Sequence, residues 1–410
     1  MFSMLRAINN KLIRKNLTHN FRMIYFSRIT LNSATQLLGL FLPIFLYQFL
    51  DFSLFWVIVY YLISDLLYAS LVAVGCRQIM NRFGIKRSLQ LSVFFGAAFY
   101  AVFFLINHYI APHNQLVEGY QLWWLAPTIF FSLFFRLTHW IPFHTNVAKL
   151  TERHIRASQL SFMEATMMAL GAVMPIVGGL ALEYLGYSTL FFLAVSIYLI
   201  SLIPFSQLPQ VKEKFSWTYR ETWRHFLSKK MRGSVLAYAG DGAENVVGSI
   251  IWPIFIWQLL SGNYLQVGAI SSVIILATIV LQIMVGNLID NLPSRRWLRY
   301  GTVLYSFGWV LKALINSAFQ VFLFSTYHNL SRVFARTSFD ALNYDIAADQ
   351  GHYVDEYTVI REMAIVFGKA LMCIFIILIS PFLALRYLFL VAALASLLMS
   401  LLKPDQLVDN

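Results

Sequence analysis

Pro43-Ile-Phe-Leu-Tyr-Gln-Phe-Leu50 and Pro253-Ile-Phe-Ile-Trp-Gln-Leu-Leu260 are two copies of one stretch, half a chain length apart. Each closes a long apolar segment. A period of half the chain is too long for a solenoid or a propeller, and it reads as one membrane half duplicated.

Composition leads to the membrane independently. Of the 410 residues 59% are hydrophobic, 16% aromatic and only 12% charged, whereas a soluble domain carries about twice that charge. The formal net charge of +12 would suggest nucleic acid in a soluble chain. In a membrane chain the position of the basic residues, not their sum, carries the information, and no nucleic-acid partner is expected. Cys76 and Cys373 lie far apart and match no metal or redox spacing, so neither a disulfide nor a cofactor is implied. The segment from Met1 to Asn20 is polar and basic and reads as no cleavable signal peptide.

Apolar stretches of roughly 20 residues, enough to cross a bilayer, are expected at 22–50, 54–78, 88–107, 121–148, 157–182, 187–206, 232–260, 264–289, 297–316, 319–346, 356–380 and 383–402. The expectation is therefore an all-α multi-pass protein of about twelve transmembrane helices. Basic residues fall in alternate connections: Arg6, Lys11, Arg14 and Lys15; then Arg77, Arg82, Lys86 and Arg87; then Lys149, Arg153 and Arg156; then Arg295, Arg296 and Arg299. The intervening connections lack lysine and arginine, which places both termini in the cytoplasm of a plasma (bacterial inner) membrane. The acidic stretch Ala347–Glu356 breaks the pattern. Between spans six and seven, 207–231 mixes six basic residues with Phe215, Trp217, Trp223 and Phe226, as suits a helix lying on the membrane surface and joining two halves, 1–206 and 232–410.

Further anchors carry the duplication through. Gly75 and Gly286 each precede a basic pair, Lys86-Arg87 and Arg295-Arg296. Arg136 precedes Phe143-His144 at the spacing with which Arg332 precedes Phe339-Asp340. Glu164 in span five faces Glu362 in span eleven in the same register. The reading is two pseudo-symmetric six-helix halves.

These residues resemble the major facilitator superfamily. The stretch Gly75-Cys-Arg-Gln-Ile-Met-Asn81-Arg82-Phe-Gly84-Ile-Lys86-Arg87 is similar to the family's loop between spans two and three, with asparagine where the family has aspartate. The echo from Gly286 through Asp290 to Arg295-Arg296 keeps the acid and lacks the inner glycine. Pro175-Ile-Val-Gly178-Gly179 resembles part of an antiporter signature, without the glycine before the proline. The resemblance covers nearly the whole chain and implies the major facilitator fold, with spans one, four, seven and ten around a central cavity. It implies a cytoplasmic gate of Arg82, Lys86, Arg87, Asp290, Arg295 and Arg296.

An ionised side chain at the bilayer centre costs about 2.5–3.5 kcal/mol on insertion scales, so such groups face a cavity or a partner. On the four implied cavity spans the candidates for binding solute are Arg28, Asn32 and Gln36, then Arg136, His139, Trp140 and His144, then Asn245 and Trp252, then Arg336, Asn343 and Tyr344. Asp241, Glu244 and Asp340 are the candidates for carrying protons, since a carboxyl whose arginine partner is displaced can load one. Asp65 reads as a structural partner to a neighbouring span. The function expected is a monomeric secondary transporter, not an enzyme, that moves a small polar or amphipathic solute by alternating access with proton coupling. Lipid movement by a flippase or scramblase, or a sensor or scaffold on the same fold, is the alternative. His-Glu-x-x-His, Gly-x-Ser-x-Gly and the Gly-x-x-x-x-Gly-Lys nucleotide loop are all absent from the sequence.

Overall fold

The computed structural model describes residues 19–110, 121–151, 156–210, 217–289, 294–349 and 354–402. Among them every regular element is helical. Helices α1 (His19–Gly39) and α2 (Phe41–Phe49) meet at a bend of 45°. Pro43 supplies the cause: it has no N–H, so the carbonyl of Gly39, four residues back, receives no helical hydrogen bond. The second copy is irregular at the matching place. Between α7 (Arg232–Val246) and α8 (Trp252–Leu259) lies the π-helical turn Val247–Ile251, just where Pro253 withdraws the donor for Ser249.

Both copies also end alike. The Phe52 N–H donates to the Tyr47 carbonyl at 2.8 Å, and the Gly262 N–H donates to the Trp257 carbonyl at 2.9 Å. Each closure wraps a left-handed residue, Asp51 (φ 53°) or Ser261 (φ 54°), as in a Schellman cap. The sequence repeat is thus a repeat of conformation.

Helix α3 (Leu54–Leu105) covers the stretches expected as spans two and three. The expected connection at 79–87 is helical apart from Gly84, at φ 74° and ψ 170°. Gly186, at φ 75° and ψ 176°, breaks α5 (Arg156–Ser206) in the same way between expected spans five and six. Only glycine takes such angles without strain, so one residue makes each turn. Helix α4 (Gln121–Leu150) runs on through Pro127 and Pro142.

In the linker a short helix, α6 (Tyr219–Phe226), opens with a capping box: Thr218 accepts from the Glu221 N–H while the Glu221 side chain accepts from the Thr218 N–H. That backbone donor, with the Thr218 hydroxyl, holds the Glu221 carboxyl below the usual glutamate range. The linker does more than lie on a surface. Trp217 and Phe226 are buried, and α6 rests against both α3 and the later helix α12. The chain then continues through α9 (Tyr264–Ile289), α10 (Ser294–Ala313), α11 (Ala318–Asp349) and α12 (Val354–Ile379). A 3-10 turn at Leu385–Tyr387 leads into α13 (Leu388–Leu397).

Among the described residues five helical stretches are long and apolar enough to cross a membrane, or six if the bent α1–α2 pair is one span. Leu66, Phe94, Ile200, Ile283 and Leu378 stand exposed on the outside, as acyl chains require and water does not favour. Inside, α3 packs on α4 and α1 on α5, while α10 packs on α11 and α7 on α12. Contacts of α5 with α9, of α3 with α12 and of α2 with α8 are among those that join these groups. The first is backbone-close, since a Cβ on Gly268 would stand 2.3 Å from the Pro175 carbonyl oxygen.

Candidate functional site

Two adjoining cavities lie where α1, α3 and α4 converge. The larger, about 230 Å³, is bordered by Arg28 and Asn32 of α1, by Arg136, His139 and Trp140 of α4, and by aromatic residues of α3 and α5. The smaller, about 160 Å³, adds residues from the second part of the chain, Asn245 of α7 and Lys369 of α12, opposite Asp65 and Arg136. Phe99, Ser132 and Arg136 border both. Six of the twelve solute-binding candidates thus border these two adjoining cavities, and the smaller one takes its walls from both the N-terminal and the C-terminal part of the chain.

The charges in it are arranged in pairs. Arg136 Nη1 donates to Asp65 Oδ1 at 2.8 Å, and its guanidinium stands 3.9 Å from the centre of the Tyr68 ring. Asp65 is therefore the structural partner expected, and it holds the arginine at the junction of the cavities. Arg28 lies over the Trp140 and Phe143 rings, 5.5 and 4.7 Å away, with Glu164 in electrostatic range. His139 receives or gives a hydrogen bond to Ser92 at 3.2 Å and is stacked between Phe135 and Phe143.

A second charged group sits on α7 and α11. Arg336 reaches Asp241 through Nη1 at 2.6 Å and Asp340 through Nε at 3.1 Å. Asp241 is nearly buried, whereas Asp340 is 38% exposed. Glu164 of α5 lies in electrostatic range of Arg336 and Asp340, so this group lies toward α5. Glu244 is buried and accepts from the Tyr305 hydroxyl at 2.8 Å.

The remaining candidates are placed elsewhere. Gln36 donates to the Met167 carbonyl at 3.1 Å and ties α1 to α5. His144 lies beside Trp140, within range of Arg28 and of Arg361 on α12. Trp252 is buried against Phe255 and Phe389. Asn343 is buried too and accepts from Tyr238 at 2.7 Å. Helix α11, expected on the cavity, borders neither of the two spaces. Of the gate candidates, Arg82 and Arg87 are exposed and Lys86 is half-buried. Asp290 and the side chains of Arg295, Arg296 and Tyr344 lie outside the described residues.

Two lysines were passed over by the sequence reading. Lys369 borders the smaller cavity. Lys312 is 4% exposed, with its ammonium 4.0 Å from the Trp252 ring and 4.5 Å from the Trp309 ring, a cation–π cage that offsets part of the desolvation. Both lie within apolar spans, and a charge inside such a span was the available signal.

The two copies of the repeat meet at one end of the molecule. At the end carrying Asp51, Gln258 Nε2 donates to the Tyr47 hydroxyl at 2.9 Å, and the Tyr264 hydroxyl donates to Gln48 Oε1 at 2.8 Å. Phe52 stacks on Trp257 above them. These contacts join the two copies of the repeat to each other's surroundings.

No family model and no curated protein matches the sequence. Solved structures do match the whole fold. A POT family transporter in complex with 5-aminolevulinic acid superposes at a TM-score of 0.67 and 11% identity, covering 93% of this chain and 94% of that one. A bacterial metal transporter gives 0.64 at 12% identity, covering 94% and 97%. A POT family transporter in complex with a thioalcohol conjugated peptide gives 0.67 at 11%, covering 93% and 94%. The chain shares the overall fold of these transporter structures.

Proposed function

We propose that this chain is a secondary transporter that moves a small polar or amphipathic solute across a plasma membrane by alternating access, coupled to protons. Twelve spans form two six-helix halves, 1–206 and 232–410, with 207–231 as a cytoplasmic linker and both termini cytoplasmic. What supports the reading is a charged cavity with walls from both the N-terminal and the C-terminal part of the chain, together with hydrogen bonds between the two copies of the repeat at the Asp51 end. In a fold of this kind the two halves rock about such a site and expose it to each side in turn. The Asp51 end is then external and sealed, and the Gly84 end faces the cytoplasm.

The test uses single cysteines in a background lacking Cys76 and Cys373. Asn114→Cys is expected to react with an impermeant maleimide from outside, and Ser228→Cys from the cytoplasm. Asn245→Cys, in the cavity wall, reacts from the cytoplasm in the parent. Adding Tyr47→Phe and Tyr264→Phe, which remove an acceptor and a donor of the external seal, makes it reactive from outside as well. Reaction of positions 114 and 228 from the same face contradicts the topology. A cysteine at 245 that reacts from neither face in any of these variants contradicts alternating access.

A further inference from the structure

Among the described residues, Lys369 is the cation bordering the smaller cavity that has no carboxylate partner. Asp65, the acid of that cavity, is committed to Arg136 at 2.8 Å, and among the described residues no carboxylate lies within 4.0 Å of Lys369. Asp241 and Asp340 are held by Arg336 and border neither cavity. Lys369 is half-buried on a helix long and apolar enough to cross a membrane, and a charge there is favoured by an opposite one, so the matching ligand group is an anion. Within the smaller cavity, Asp65 offsets Arg136, and the one excess charge left there suits a single acid group. Ser132 and Asn245 border the same space and can donate to a second acid oxygen.

The larger cavity says what the rest of the molecule is. It adjoins the smaller one at Phe99, Ser132 and Arg136, and its walls carry Phe99, Tyr100, Phe135, Trp140 and Tyr198, with Arg28 over the Trp140 ring. Ring faces and edges of this kind hold a flat ring by offset stacking and edge contacts. At about 230 Å³ the space lies just below the range of pockets that take drug-sized ligands, so it fits one or two rings. An amine on the same body would need an uncommitted acid in this space, and Asp65 is already held.

We infer that the site takes a monoanionic aryl carboxylate, its acid group at Lys369 and its ring among the aromatic side chains of α3, α4 and α5. The inference rests on reading these cavities as the transport site. It also excludes cationic amphiphiles, which the same aromatic walls would otherwise admit.

The test is calorimetry on the full chain in lipid nanodiscs with three probes that share one ring: phenylacetate, phenylacetamide and phenethylamine. Phenylacetate is expected to bind saturably, and the amide and the amine at least about tenfold more weakly. Lys369→Gln should weaken phenylacetate at least about tenfold while Lys369→Arg retains it. The probe comparison in the parent stands even where the glutamine variant fails to fold. Absence of phenylacetate binding, equal binding of the amine or amide, or undiminished binding to a folded Lys369→Gln variant overturns the assignment. Counterflow of labelled phenylacetate in proteoliposomes separates the two readings. Saturable binding without counterflow refutes transport and leaves the acid site standing. Counterflow indifferent to the charge at 369 refutes the acid site and leaves transport standing.

Discussion

Asp65→Asn is expected to destabilise the protein by about 3–5 kcal/mol and to abolish transport, because it leaves the Arg136 guanidinium charged and unpaired in a nearly buried place. The pair is close, at 2.8 Å, with side-chain exposures of 16% and 9%. The Tyr68 ring beneath the guanidinium recovers only part of the loss, since a cation–π contact contributes about 0.5–2 kcal/mol. The double change Asp65→Asn with Arg136→Gln should recover most of the stability and none of the transport, because both charges are gone but so is the group at the junction of the cavities. Reversible unfolding of the two single variants and the double variant in detergent checks this through a double-mutant cycle. A single Asp65→Asn variant as stable as the parent would mean that water reaches the pair and that Arg136 needs no partner.

The second large effect concerns proton coupling. Arg336 holds two carboxylates at once, Asp241 at 2.6 Å and Asp340 at 3.1 Å. Asp340 has the longer contact and the greater exposure, so it is the acid that Arg336 releases first when the halves move. Once released, it can take a proton from water, and the returning guanidinium expels it. Asp340→Asn should therefore abolish uptake driven by a pH gradient and preserve solute exchange, which needs no net proton movement. Both are measured in proteoliposomes on one preparation. Gradient-driven uptake that survives neutralisation of Asp340, Asp241 and Glu244 together would rule these acids out as carriers.

The parts of this architecture that are local in sequence were legible in it. The two octapeptides announce matching helix ends, and the structure gives them the same cap. Pro43 and Pro253 announce irregularity, which appears four residues upstream of each, where the missing donor leaves a carbonyl. Residues 79–87 were harder, because basic residues beside a glycine read as a loop, yet a single left-handed residue, Gly84, turns the chain between two continuous helices. What was not legible is pairing between distant spans. Asp65 announced that it needs a partner, and nothing near it in sequence says that the partner is Arg136. Trp252 and Asn343 carry polar atoms on helices implied to line the cavity, but each faces a neighbour within the second half, and only the rotation of those helices decides that. Lys369 and Lys312 were visible as charges within apolar spans. The reading sought solute and proton candidates on four spans and, outside them, weighed only the acids Asp65, Glu164 and Glu362, so it missed both lysines.

The central claim is that two halves rock about one cavity, and distances measured across both ends at once test it most directly. Spin labels at Phe55 and Gln266 report the Asp51 end, and labels at Arg82 and Arg299 report the Gly84 end; all four side chains are exposed. Pulsed double electron–electron resonance in nanodiscs, with and without transported solute, should show the two distances changing in opposite senses, one end opening as the other closes. Two ends that open together, or two distances that stay fixed in a preparation that transports, would contradict the account.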